Sequence, residues 1–306
     1  MATPRSQLID NEVPLTYLLV SRCVRRGLLC GTDPLTGQNY DHRKTWLEER
    51  LFKLVSCFAV ELFGYAIMSN HFHLIVRYDP TAARQWTDEE VVRRWLACAS
   101  LATDQRGEES LESQQAQLLK NPAKIQRLRR HLGSLSMFMK HLKQPIAWRA
   151  NREDHCTGHF FEGRFYSGAL LDERAVIAAL AYVDLHPVRA KMVQRAIEAT
   201  FTSLEYRLRE LAADESRLEE YLSPVVSGLA NKEKEMRQIP IRLSEYLDYL
   251  EQFSLSETPP DETASWYQRV AMFQRKQRAF GLAHRLTEWA TARGWSRIGV
   301  AIPSKS

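Results

Sequence analysis

The densest hydrophobic pattern in the chain lies between residues 60 and 78. Val60-Glu61-Leu62-Phe63-Gly64-Tyr65-Ala66-Ile67 leads into Ser69-Asn70, a tight-turn pair, and then into His71-Phe72-His73-Leu74-Ile75-Val76. β-Branched and aromatic residues fill both arms, so the pattern predicts a β-hairpin, closed by Asp79-Pro80. Ahead of it, Val13 to Val24 reads as a first strand. Between the two, Trp46, Leu47, Leu51, Leu54, Val55 and Phe58 keep the helical period, which predicts a helix from about Asp41 to Phe58.

After the hairpin the chain turns polar and irregular. Residues 84 to 131 read as a helical insertion on the surface, because the stretch from Gly107 to Gln117 offers little for a core. Leu132 to Ala150 predicts another helix, with Pro145 expected to kink or break it. Phe160 to Leu171 supplies a fourth strand. Asp172 is placed to cap a helix from Glu173 to His186, which is expected to end there because Pro187 pushes the residue before it out of the α region. The order strand–helix–strand–strand–helix–strand predicts an α+β fold, a ferredoxin-like antiparallel sheet with its helices on one face.

Past Met192 the character changes, and residues 201 to 306 read as a mostly helical C-terminal extension with a linker at Pro259-Pro260. Its last part interleaves the rings of Trp266, Tyr267, Phe273, Phe280, Trp289 and Trp295 with Arg269, Arg275, Lys276, Arg278 and Arg285. That mixture suits nucleic acid, and equally suits an amphipathic helix pair that buries its aromatics.

Composition narrows the setting more than the function. A chain of 306 residues with a net charge of +5 allows a polyanionic partner without requiring one. No window approaches the uninterrupted apolar length of a membrane span, and the first residues lack the apolar core of a signal peptide. The five cysteines are scattered and without Cys-x-x-Cys spacing, which argues against a disulfide framework or a zinc knuckle. A cytoplasmic protein that does not contact membrane is the expectation.

The candidate chemistry starts on the second arm of the hairpin. Side chains alternate along a strand, so His71 and His73 share a face while Phe72 points into the other. Two imidazoles held that way can share one metal ion, although two polar residues on a solvated face would show the same spacing. His155, Cys156 and His159 lack a fourth ligand at zinc spacing and read as structural.

Three stretches together resemble a known family. Met68-Ser69-Asn70-His71-Phe72-His73-Leu74 is similar to the His-hydrophobe-His strand of the HUH single-strand endonucleases. Phe161-Glu162-Gly163-Arg164-Phe165 and Tyr182-Val183-Asp184-Leu185-His186-Pro187-Val188-Arg189-Ala190 resemble two further signatures of the branch known as REP-associated tyrosine transposases. The matches fall in the family's order and make residues 1–200 the catalytic core.

The resemblance implies a metal-dependent enzyme that nicks and joins single-stranded or hairpin DNA, a helix tyrosine attacking the phosphodiester to leave a 5′-phosphotyrosine. It implies Tyr182 as the nucleophile, His71 and His73 as metal ligands, and Mg²⁺ or Mn²⁺ as the cofactor. Where the family most often carries Asn the chain has His186, four residues after Tyr182 and so on its side of a helix, where it could be a third ligand. Arg22, Arg25, Arg164 and Arg189 are the expected phosphate contacts, clustered around the site. Two other readings stay open: a hairpin-DNA-binding protein of the same fold whose catalysis has lapsed, and a zinc hydrolase acting on a small substrate through the three histidines. The sequence leaves the DNA target and the oligomeric state open.

Overall fold

The computed structural model describes residues 4–24, 27–100, 110–229, 238–255, 272–273 and 276–295. Its centre is four strands: β1 (Leu15–Arg22), β2 (Val60–Ile67), β3 (His71–Tyr78) and β4 (Tyr166–Leu170). Among the later segments, β5 (Tyr221–Leu222) pairs with β7 (Ile239–Arg242), while β6 (Val226–Ser227) and β8 (Ala279–Phe280) join the main sheet. The six-stranded sheet runs β6–β2–β3–β1–β4–β8, antiparallel except that β8 lies parallel to β4.

Alternation along β1 and β3 divides the core in two. Tyr17, Leu19, Phe72, Leu74 and Val76 pack with Leu47, Leu51 and Leu54 of helix α2 (His42–Cys57). Leu18, Ile75 and Leu170 face the opposite way, toward the alanine-rich helix that follows β4. Helices therefore cover both faces of the sheet, not one. The sequence carries the reason: β2 is buried at every position, and a strand covered on both faces shows no polar alternation.

Preceding α2 is a short helix, α1 (Arg5–Leu8), packed on β4. The segment after the hairpin forms α3 (Ala82–Gln85), α4 (Asp88–Ser100), α5 (Leu111–Leu119) and α6 (Pro122–Leu132). It is no surface appendage: Val91, Val92, Cys98, Ile125 and Leu128 are buried in the same cluster as α2. Helix α7 (Leu135–Glu153) runs unbroken through Pro145. A proline removes the amide that would bond the carbonyl four residues back, here that of His141. Arg50 Nε of α2 supplies the missing donor to that oxygen at 2.7 Å, so the helix continues.

Beyond β4 come α8 (Glu173–Asp184) and α9 (His186–Arg189), then α10 (Ser203–Ala213), α11 (Leu243–Leu255) and α12 (Ala283–Thr291). Asp172 caps α8, its side chain accepting from the Ala175 amide at 2.9 Å. Every residue from Ala175 to Asp184 is buried, as expected of a helix apolar all round. Its seat on β2 depends on Gly64: a Cβ there would lie 2.5 Å from Leu180 Cδ2. No helix among the described residues is long and apolar enough to cross a membrane. In the C-terminal region Phe273, Phe280 and Trp289 are buried, whereas Trp266, Tyr267, Arg269, Arg275 and Pro259-Pro260 lie outside the described residues.

Candidate active site

The site is built where β3 starts and α8 ends. His71 and His73 occupy the first and third positions of β3, on the face that carries Ile75, and this face looks at α8. Helix α8 stops at Asp184 with Leu185 still in the right-handed region, and α9 resumes at His186 with Pro187 in its first turn. This near-continuity keeps His186 one turn beyond Tyr182. The rings of His71, His73 and His186 lie with centroids 4.8, 5.1 and 4.5 Å apart pairwise. One ligand atom from each falls within 4.8 Å of the others.

The hydrogen bonding leaves these nitrogens facing one another. His71 Nδ1 lies 2.6 Å from Asn70 Oδ1, an oxygen that only accepts, so Nδ1 carries the proton. His71 Nε2 is thereby left as a lone pair, 3.1 Å from His186 Nε2. Both nitrogens of His73, and Nδ1 of His186, are buried without a hydrogen-bond partner among the described residues. Buried polar atoms of a folded protein are seldom left that way, and a cation shared by the three imidazoles would take up one nitrogen of each.

Burial also keeps the rings neutral. It drives His71 down to about 3, with His186 and Arg22 adding to the effect, and His186 down to about 4, with Arg189 and Arg22 adding. His73, the most enclosed, is pushed well below the ordinary histidine value by burial and then by its two neighbours. A neutral imidazole is the form that binds metal.

Tyr182 completes the group. Its ring sits 5.6 Å from that of His73 and 5.4 Å from that of His186, and only 7% of the residue is exposed. Burial raises its phenol, against which the charges of Arg189 and Arg22 act. The Arg189 guanidinium lies 5.6 Å from the Tyr182 ring centre. Arg22 stands directly across from His71 in the β1–β3 register, which puts both on one face.

Of the expected phosphate contacts, then, Arg22 and Arg189 join the histidines. Arg164 does not: it lines a separate trough with Arg5 and Lys143, because its loop leads into β4 from the α7 side. Arg25 lies outside the described residues. His155, Cys156 and His159 are exposed on the loop after α7 and join no such cluster.

Two contacts escaped the sequence. Phe273 packs on Tyr182 with ring centres 5.7 Å apart. Lys276 is close enough for its charge to act on His71. Nothing local to the motifs announces either residue; β8 delivers both by pairing with β4.

The chain matches no protein-family model and no curated protein. Among solved structures it is similar to a REP-associated tyrosine transposase bound to a REP hairpin, at 12% sequence identity, over 74% of this chain and 90% of that one, with a TM-score of 0.40.

Proposed function

We propose that the protein is a divalent-metal-dependent transposase of the HUH type, which nicks and joins hairpin-containing single-stranded DNA through a 5′-phosphotyrosine on Tyr182. The observation that carries the reading is the meeting of three neutral imidazoles with a tyrosine one helical turn from the third. The three sequence signatures support it, and the β2–β3–β1–β4 order is compatible with the ferredoxin-like sheet that the reading expects.

His71, His73 and His186 would hold the metal, whose charge would polarise the scissile phosphate. Three nitrogen donors favour Mn²⁺ over Mg²⁺. Arg22 and Arg189 would hold the phosphate oxygens and offset the charge that builds on them. The Tyr182 oxygen forms its bond to phosphorus as the bond to the 3′ oxygen breaks, and the phenol's proton is balanced by the 3′ hydroxyl released. Tyr182 is the best placed of the candidates because the rival phenols are engaged elsewhere. Tyr17 accepts from the Asp10 amide, Tyr65 donates to Glu48, and Tyr166 donates to the Gln277 carbonyl.

One observation favours the lapsed-enzyme reading: Phe273 lies on the Tyr182 ring. A single assay separates the two. Labelled hairpin DNA is incubated with Mn²⁺ and run on a denaturing gel, with wild type beside Tyr182→Phe. The proposal expects a covalent band from wild type and none from the variant, with DNA binding kept by both. Binding without a band in either would leave a hairpin-binding protein.

A further inference from the structure

Between Glu112 and Glu153 the chain carries nine Lys and Arg residues and no Asp or Glu. That exceeds the net charge of +5 on the whole chain, so the rest of the protein is net acidic. The stretch forms the end of α5, then α6 and α7. Ile125, Leu128 and Leu132 turn one side of α6 into the core, which leaves Lys124, Arg127 and Arg130 exposed on the other. Lys120 is exposed just ahead of α6, and Lys140 is exposed on α7. The Lys140 charge acts on His131 at the end of α6, so the cations of the two helices adjoin.

Ion pairing does not account for these charges, and helix stability accounts for only one. Among the described residues none of the five forms an ion pair with a carboxylate. Of the acids on neighbouring α4, Asp88 is engaged by Arg129, and Glu90 by Arg93 and Arg94. Arg130 falls in the last turn of α6, where a cation complements the helix dipole. Lys124 falls in the first turn, where it opposes the dipole, and Lys120 precedes that turn.

The chemistry of the surface selects its partner. Helix α6 presents Lys, Arg and Gln outward with no exposed aromatic ring, so it can hold phosphates but cannot stack bases. Nor does it expose a large apolar side chain that could enter a membrane. Double-helical DNA, its bases already stacked and its phosphates dense on the outside, matches that chemistry. Helices α6 and α7 pack in the same cluster as Phe72 and Leu74, on the face of the sheet away from α8, whereas the three histidines look at α8. The sheet therefore lies between this surface and the proposed reacting site.

We propose that Lys120, Lys124, Arg127, Arg130 and Lys140 form a second DNA surface, which holds double-helical DNA by its phosphates without regard to sequence. It goes beyond the proposed nicking of a single strand and uses neither Tyr182 nor the histidines. The protein would hold a duplex on one face while the strand at the histidines is cut on the other.

The probe is a labelled duplex of mixed sequence, about 20 base pairs long, followed by fluorescence anisotropy across a salt series. A triple variant, Lys124→Gln with Arg127→Gln and Arg130→Gln, removes three contacts at exposed positions. A double variant, Lys120→Gln with Lys140→Gln, removes the other two, and a thermal melt checks the fold of each. The slope of log affinity against log salt should shrink by about 2.7 in the triple variant and about 1.8 in the double. The triple variant should change the slope for oligothymidylate by less than that for the duplex. Wild type that does not bind the duplex, or two variants that keep its slope, overturns the surface. A change on oligothymidylate as large as that on the duplex overturns the assignment to double-helical DNA. Tighter binding of wild type to phosphatidylserine vesicles than to the duplex, lost in the triple variant, overturns it in favour of a membrane. The Tyr182 adduct on hairpin DNA would survive each of these outcomes, and absence of the adduct would leave the duplex surface standing.

Discussion

His71 is oriented by Asn70, the residue before it. Because Asn70 Oδ1 accepts from the Nδ1–H at 2.6 Å, the ring offers Nε2 to its neighbours and cannot offer Nδ1. Groups that fix a ligating histidine from behind typically account for about 10- to 100-fold in metal affinity. Asn70→Ala is therefore expected to weaken Mn²⁺ binding by about that factor while leaving the fold unchanged, as read by calorimetric titration. An unaltered affinity would mean that His71 is not a ligand. The strand period makes the shared face of His71 and His73 readable from their spacing alone. Arg22 opposite His71 is different: it depends on pairing between strands some fifty positions apart in sequence, which no local pattern carries. The place of Arg164, in a hollow apart from the histidines, was hidden for the same reason, since a motif gives neighbours in sequence and not the direction from which a loop arrives.

At the level of elements, α7 shows how a local rule is overridden. Pro145 should end or kink a helix, yet Arg50 caps the carbonyl it frees. Arg50→Leu is expected to cost about 1–3 kcal/mol in denaturant unfolding, the cost of a buried acceptor left alone. In a Pro145→Ala background the cost should shrink, because the helix then supplies its own amide. Equal costs in both backgrounds would show that Arg50 acts through other contacts.

The hairpin of α6 and α7 also carries a pH dependence. His131 and His141 meet Nε2 to Nε2 at 2.8 Å, and burial, then His131, Arg50 and Lys140, take His141 down to about 4. The unfolded chain takes up this proton near its ordinary value of 6.5, whereas the folded chain resists until about 4. Stability is thus fully present above pH 6.5 and is lost as pH falls from 6.5 toward 4. His141→Gln should make that part of the curve of denaturation midpoint against pH less steep, the buried His71 and His186 supplying the rest of the slope when chelator keeps metal out. A curve as steep as wild type would contradict it.

The whole molecule holds its candidate nucleophile through parts remote in sequence. Asp184, buried two residues after Tyr182, accepts from Ser203 Oγ at 2.7 Å, the Leu204 amide at 3.2 Å and the Tyr246 hydroxyl at 2.6 Å. These bonds tie the end of α8 to α10 and α11. Tyr246→Phe is expected to cost about 1–3 kcal/mol in stability, because it removes one donor from a fully buried carboxylate; a loss near zero would mean Asp184 is protonated and weakly held. Burial itself pushes that carboxyl upward.

The central sheet was legible because its strands are long and strongly patterned. The two-residue strands β6 and β8, and with them Phe273 and Lys276 at the site, were not. Short edge strands have no periodicity to read, and the basic and aromatic composition there fitted a buried packing as well as a bound strand. The measurement that tests the central claim most directly is a peptide map of the DNA adduct. Trypsin releases residues 175–189 as one peptide in which Tyr182 is the sole tyrosine. The account predicts the nucleotide mass on that peptide after nuclease digestion. Finding it on residues 165–174, which carry Tyr166, would place the nucleophile on β4 and contradict the account.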